Sequence, residues 1–182
     1  MQEIKVKIKG KTPYLMHAFQ LVQSEEKSKN RSGIEDYKGQ VENSLYRLPD
    51  GTIYVPSTQI HGCLTEAGKQ FQIPGKRKAT FSRIIGSTIM VTPDAIPMNP
   101  QNYEIDTRAV VNPATKGRVA RHRPKFIDWK LEFVIENLEP EYLPTTELKK
   151  ILDYGGSYVG IGDFRPQKKG MFGRFIVTLF EY

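Results

Sequence analysis

The stretch PTTELKKILDYGGSYVGIGDFRPQKKGMFGRFIVTLFEY, residues 144–182, decides the second half of the fold. Its first part has a Thr cap, Leu148, Ile151 and Leu152 on one side, and the pair Gly155-Gly156 as a stop, which together predict a short helix. SYVGIGDF and GMFGRFIVTLFEY then read as two strands joined by RPQKKG. Immediately upstream, FIDWKLEFVIE alternates apolar and polar residues and reads as a strong strand. A strand, a helix and a return to strand therefore close the chain.

The first half repeats that order. Ile4, Val6 and Ile8 alternate with Lys5, Lys7 and Lys9, the period of a half-buried strand, and the pattern extends past Gly10 to Tyr14 and Leu15. LYRLPDGTIYVP places a Pro-Asp-Gly turn between two short apolar runs and predicts a hairpin. Ser57 or Thr58 then caps a helix through QIHGCLTEAGKQF, where Ile60, Cys63, Leu64, Ala67 and Phe71 share a side. Gly62 inside that helix costs about 1 kcal/mol against Ala, which points to close packing or ligand approach. STIMVTPDAIPMNP and YEIDTRAVV follow as strands. The order predicts an α+β, ferredoxin-like βαββαβ fold with an antiparallel sheet and helices on one face. Residues 1–182 are expected to form one domain, with a flexible polar insertion at 20–44 and a projecting basic β-hairpin at 106–126.

Charge directs the functional reading. The chain of 182 residues has 27 Lys and Arg against 20 Asp and Glu, a formal charge of +7 that favours polyanionic partners. Cys63 is the only cysteine, so neither an intramolecular disulfide nor a cysteine-based zinc cluster can form. No apolar run approaches the roughly 18 residues of a membrane span, and the amino terminus lacks a signal-peptide core. A soluble, cytoplasmic protein without a membrane partner is expected.

Three segments concentrate the positive charge: Lys76, Arg77, Lys78 and Arg83; Arg108, Lys116, Arg118, Arg121, His122, Arg123 and Lys125; and Arg165, Lys168, Lys169 and Arg174. Each reads as a turn or hairpin without internal acids, suited to neutralising several phosphates together. Phe81, Phe126, Phe164 and Phe172 lie near these clusters, and Phe164 and Phe172, which flank a turn, are the best placed to stack on unpaired bases. The glycines from Gly155 to Gly173 match neither a P-loop nor a dinucleotide fingerprint, and suit either turns or close approach to a phosphate chain. His17, His61 and His122 have no metal-ligand spacing, so no metal, cofactor or catalytic residue is assigned. Asp106, Asp128 and Asp163 lack a paired-carboxylate motif for Mg²⁺.

VPSTQIHGCLTEAGK and GGSYVGIGDFRPQKKGMFGRF resemble, respectively, the strand-to-helix segment and the glycine-rich carboxy-terminal loop of the RAMP superfamily. That resemblance implies an RRM-like fold that grips RNA, as in the backbone subunits of CRISPR effector complexes, and is shared with phage-borne relatives. The hairpin is similar in position to their projecting thumb. The match departs at Ser57-Thr58-Gln59 and at Ala67-Gly68-Lys69, and neither His17 nor His61 fits the RNA-processing histidine. The expected function is non-catalytic binding of RNA or single-stranded nucleic acid through the backbone, with self-association along the strand. A viral single-stranded-DNA-binding protein is the alternative among binding proteins. A metal-dependent nuclease using Asp106 or Asp163 and a structural subunit meeting an acidic protein are the rivals of other classes.

Overall fold

A computed structural model describes residues 1–18, 37–111 and 116–182, without the side chains of Tyr37, Lys38 and Val119. Residue 19, residues 20–36 of the expected insertion and 112–115 of the expected hairpin tip lie outside the described residues.

The period-two segment at the amino terminus forms β1 (Gln2–Gly10), with Ile4, Val6 and Ile8 buried and its lysines exposed. A second half-strand, β2 (Tyr14–Leu15), leaves this sheet and joins another. After α1 (Tyr37–Asn43) and β3 (Tyr54–Pro56) come α2 (Ser57–Ala67), α3 (Phe81–Thr88), β4 (Ile89–Thr92) and β5 (Ala95–Pro97). The hairpin strands are β6 (Glu104–Val111) and β7 (Arg118–Phe126). β8 (Lys130–Asn137), α4 (Thr145–Tyr154) and β9 (Phe175–Glu181) complete the chain.

The main sheet has the order β4-β8-β1-β9, antiparallel throughout, with Ile4 opposite Ile135 and Val91 also opposite Ile135. With α2 between β1 and β4, and α4 between β8 and β9, this is the ferredoxin-like βαββαβ arrangement. α2 buries Ile60, Cys63, Leu64 and Ala67, and α4 buries Leu148, Ile151 and Leu152, in one core with Ile4, Val6, Ile8, Leu131, Phe133 and Ile135. Each such aliphatic side chain contributes roughly 1.5–3 kcal/mol relative to exposure. The opposite sheet face keeps Lys5, Lys7 and Lys9 in solvent. A second sheet of order β2-β7-β6 stands beside the first. Trp129 couples the two: its indole N–H donates to the Thr12 carbonyl at 2.8 Å, and its ring meets Tyr14 and Phe175. A Cβ on Gly10 would strike that ring, so the β1 exit must be glycine.

Several local expectations change. Pro56, not Ser57 or Thr58, occupies the cap of α2, and the Ser57 N–H donates to the Asp94 carbonyl instead. Pro144 likewise precedes α4, while the Thr145 hydroxyl ties the helix to Gln2. α4 ends at Tyr154, just before the glycine pair as expected, and the chain then runs on through a π-helical turn, Gly155–Val159. SYVGIGDF is not a strand: Gly160, Gly162 and Phe164 take positive φ and turn it into a loop. STIMVTPDAIPMNP divides into β4 and β5. Part of the expected flap is packed, since Val41 and Ser44 are buried. The Pro-Asp-Gly hairpin forms, with Arg47 opposite Ile53 and Gly51 at φ 91°. Among the described residues, no helix is long and apolar enough to cross a membrane.

Candidate nucleic-acid interface

β6 and β7 pair from Glu104 opposite Lys125 to Val111 opposite Arg118. Facing residues share a side, so Arg108, Arg121, Arg123 and Lys125 lie on one face, with Glu104 and Asp106 among them. The basic segments are therefore not free of acids. Arg108 holds Asp106 through two hydrogen bonds of 2.8 and 3.2 Å, and Lys125 meets Glu104 at 2.9 Å. Arg123 reaches Asp163 of the glycine-rich loop at 3.0 Å. Three of the predicted phosphate-binding cations thus already have anions. Lys116, Arg118 and Arg121 form no ion pair with a described residue. His122 is buried, with Nδ1 2.8 Å from the Thr107 hydroxyl, and stabilises the hairpin rather than presenting a surface.

The glycine-rich loop, 160–174, faces this hairpin. Close approach explains its composition: Gly162, at φ 77°, lies against the Tyr14 ring and the Leu15 carbonyl, where no Cβ fits. The Arg108 guanidinium sits 4.7 Å over the Phe172 ring, which in turn meets Phe164. Phe172 is covered by these contacts, which removes it as a base-stacking surface. Phe164 retains 38% exposure and holds φ 51°, a strained conformation for a bulky residue. Phe81 and Phe126 belong to the core. Lys168 and Lys169 are exposed at a short 3₁₀ turn, Pro166–Lys168, and the Arg174 guanidinium donates to the Ser157 carbonyl.

Between the loop and α2 lies a cavity of about 490 Å³ lined by His17, Gln59, Gly62, Asp163, Arg165 and Gln167, among others. A hydrogen-bond account shows what it offers. The Gln59 side-chain oxygen already accepts from the Tyr14 hydroxyl at 2.9 Å and the Gly162 N–H at 3.1 Å. The Gln167 oxygen accepts from Arg165 Nε at 2.9 Å, and the Asp163 carboxylate is held by Arg123 and the Phe164 N–H. These acceptors are engaged, the Gln59 side chain also bonds to Tyr46, and Arg165 supplies the cation of the lining. The cavity suits an anion rich in oxygen, such as a phosphodiester.

Two further features fit that chemistry. Gly62 has no atom within 4 Å of where its Cβ would stand, so packing does not require it; its absent side chain leaves the cavity floor open. Burial pushes the His17 pKa down, with Arg123 and Arg121 adding to the effect against the opposing Asp163. His17 is then neutral near pH 7. Burial also pushes the neighbouring Cys63 thiol up to about 12, which leaves it an unreactive wall.

The structure ties the second basic segment to the loop that bears the third, through Arg123–Asp163 and Arg108–Phe172, beside this cleft. It does not bring the first: Lys76, Arg77 and Lys78 project from a tight turn whose base pairs Gln72 with Thr80, and Arg83 is exposed on α3. Sequence reasoning missed His17, Thr58, Gln59 and Gln167 as site residues. Gln59 lay within the strand-to-helix motif, but an isolated polar residue in a helix turn gives no sign of which atoms the fold will satisfy.

The architecture is that of a ferredoxin-like domain with a basic hairpin clamped to a glycine-rich loop. Among solved structures, a chain of the Type III-B Cmr-beta complex bound to cognate target RNA superposes over 98% of this chain with a TM-score of 0.54 and 13% identity. This chain spans 59% of that neighbour's length. Cmr6 from Pyrococcus furiosus aligns over 100% of this chain and 98% of its own, at a TM-score of 0.45 and 10% identity. No family model matches the sequence. No curated protein matches it. The fold expected from the two RAMP-like motifs is thus the fold observed.

Proposed function

We propose that this chain binds single-stranded RNA through its sugar-phosphate backbone, in the cleft between α2 and the glycine-rich loop and along the adjoining β6-β7 hairpin, as a non-catalytic subunit of a CRISPR-type effector assembly. One observation carries this reading. Arg165 lines the cleft cavity, and Arg121, whose charge acts on His17 of the same lining, stands on the adjoining strand without an ion pair to a described residue. The fold shared with a chain of an RNA-bound assembly supports RNA as the strand. Asp106 and Asp163, the carboxylates a nuclease would need for Mg²⁺, are committed to Arg108 and Arg123. Copies or related subunits associate along the strand in this reading, with Lys168 and Lys169 adding phosphate contacts at the loop tip.

Fluorescence anisotropy with labelled RNAs of two unrelated sequences, titrated across salt concentrations, tests it. Both should bind with similar affinity, and log K should fall linearly with log salt at about 0.7 per phosphate neutralised. Affinity independent of salt, or confined to one sequence, would contradict backbone recognition.

A further inference from the structure

Outside the cleft, three aromatic rings form a ladder on the surface. Phe71 and Tyr154 meet edge to face at 5.6 Å and 87°, and Tyr154 lies against Tyr158 at 4.6 Å and 36°. Tyr158, the outermost ring, is 63% exposed. A large aromatic left this open is not explained by the core, and the ring beneath it holds it in place before any ligand arrives. The π-helical turn Gly155–Val159 carries Tyr158, and two residues later Gly160 lines the cleft cavity. A cation stands beside the outer ring, and a basic turn follows the inner one in the chain. Arg174 donates to the Ser157 carbonyl next to Tyr158, and the turn bearing Lys76, Arg77 and Lys78 grows from the segment after Phe71, where the Ile73 N–H bonds to the Ala79 carbonyl.

We propose that Tyr158 is a stacking platform for an unpaired nucleobase of the same strand. The inference rests on the nucleic-acid reading above and adds where a base lies. A strand leaving the cleft past Gly160 meets the Tyr158 ring, with Arg174 beside its phosphate and the Lys76–Lys78 turn ahead of it. This also gives the first basic segment a role that the cleft does not. Stacking on a ring is sequence-tolerant, since every base has a π-face, and it is not electrostatic. A nucleic-acid strand is favoured over a protein partner as the occupant, because the Arg174 cation stands beside the outermost ring.

The test compares a uridine oligoribonucleotide with an abasic strand of the same length, against the parent chain, Tyr158→Ala, Tyr158→Leu and Tyr158→Phe. Loss of one stacked base, about 1–3 kcal/mol, should raise Kd for the uridine strand roughly 5- to 150-fold in the Ala variant. The salt slope should not change. Phe should retain affinity, whereas Leu, which keeps apolar volume without a flat ring, should lose it and serves if the Ala variant does not fold. Neither Ala nor Leu should weaken binding of the abasic strand. Equal losses on both strands, or none on the uridine strand, overturn the stacking role while leaving backbone binding intact. A parent chain that binds neither strand overturns both readings.

Discussion

The guanidinium of Arg123 on β7 lies 3.0 Å from the carboxylate of Asp163, joining the hairpin to the glycine-rich loop across the mouth of the cleft. The Arg123 side chain is only 13% exposed and that of Asp163 35%, so this pair is less screened than the surface pairs of the protein.

Removing either partner should loosen the cleft. Arg123→Ala leaves a half-buried carboxylate without its cation and should destabilise the fold by about 1–3 kcal/mol. Asp163→Asn should cost less. The double variant Arg123→Ala, Asp163→Ala should be less destabilised than the sum of the singles, since the residues act as a unit. Thermal unfolding of these proteins, with Asp163→Ala as the second single, reads this directly, and strict additivity would mean the pair does not couple the two segments.

The cations without an ion pair should behave differently. Replacing Lys116, Arg118 and Arg121 by Ala should leave stability within about 0.5 kcal/mol, as surface substitutions usually do. It should also weaken binding of unrelated RNA sequences by a similar factor and reduce the salt slope by about 0.7 for each phosphate that is no longer neutralised. An unchanged slope would remove the hairpin from the interface.

Gly62 offers a test in which stability and binding move in opposite directions. Gly62→Ala meets no neighbour and should stabilise α2 by about 0.5–1 kcal/mol, the usual helix preference. Gly62→Leu projects into the cavity and should reduce RNA affinity with the fold retained. Melting curves and anisotropy on the same preparations suffice, and undiminished binding by the Leu variant would place the strand elsewhere.

His17 should make binding pH-dependent. Its pKa in the free protein is lowered from 6.5, and a phosphate placed beside it raises that value. Binding then takes up a proton, so affinity rises as pH falls through the histidine range and is flat above it. For folding alone the sign is opposite: the lowered pKa stabilises the native state above about 6.5, and that contribution is lost below it. His17→Gln should abolish the pH dependence of binding, measured between mildly acidic and mildly alkaline buffers.

The βαββαβ order is legible in the sequence because it rests on periodicity. Ile4, Val6 and Ile8, or Leu148, Ile151 and Leu152, announce which face is buried before any partner is known. The hairpin is legible for a similar reason, since its two apolar-polar strands flank a polar tip. The site itself is only half legible. Counting charges identifies Arg108, Arg123 and Lys125, but their anions Asp106, Asp163 and Glu104 are set by register and by the folding of the loop onto β7. The partners of the Gln59 and Gln167 side chains, Tyr14 and Arg165 among them, are settled only in three dimensions. Phe172 escapes a sequence reading because its neighbour in space, Arg108, lies more than sixty residues away in the chain.

Ultraviolet cross-linking of a bound RNA, followed by mass spectrometry of the adducted peptides, tests the central claim most directly. The account predicts cross-links concentrated on the β7 segment around Arg121 and on the loop from Tyr158 to Lys169, with the exposed Phe164 and Tyr158 foremost. Cross-links confined to the lysine-bearing outer face of the main sheet, at Lys5, Lys7 and Lys9, would contradict it.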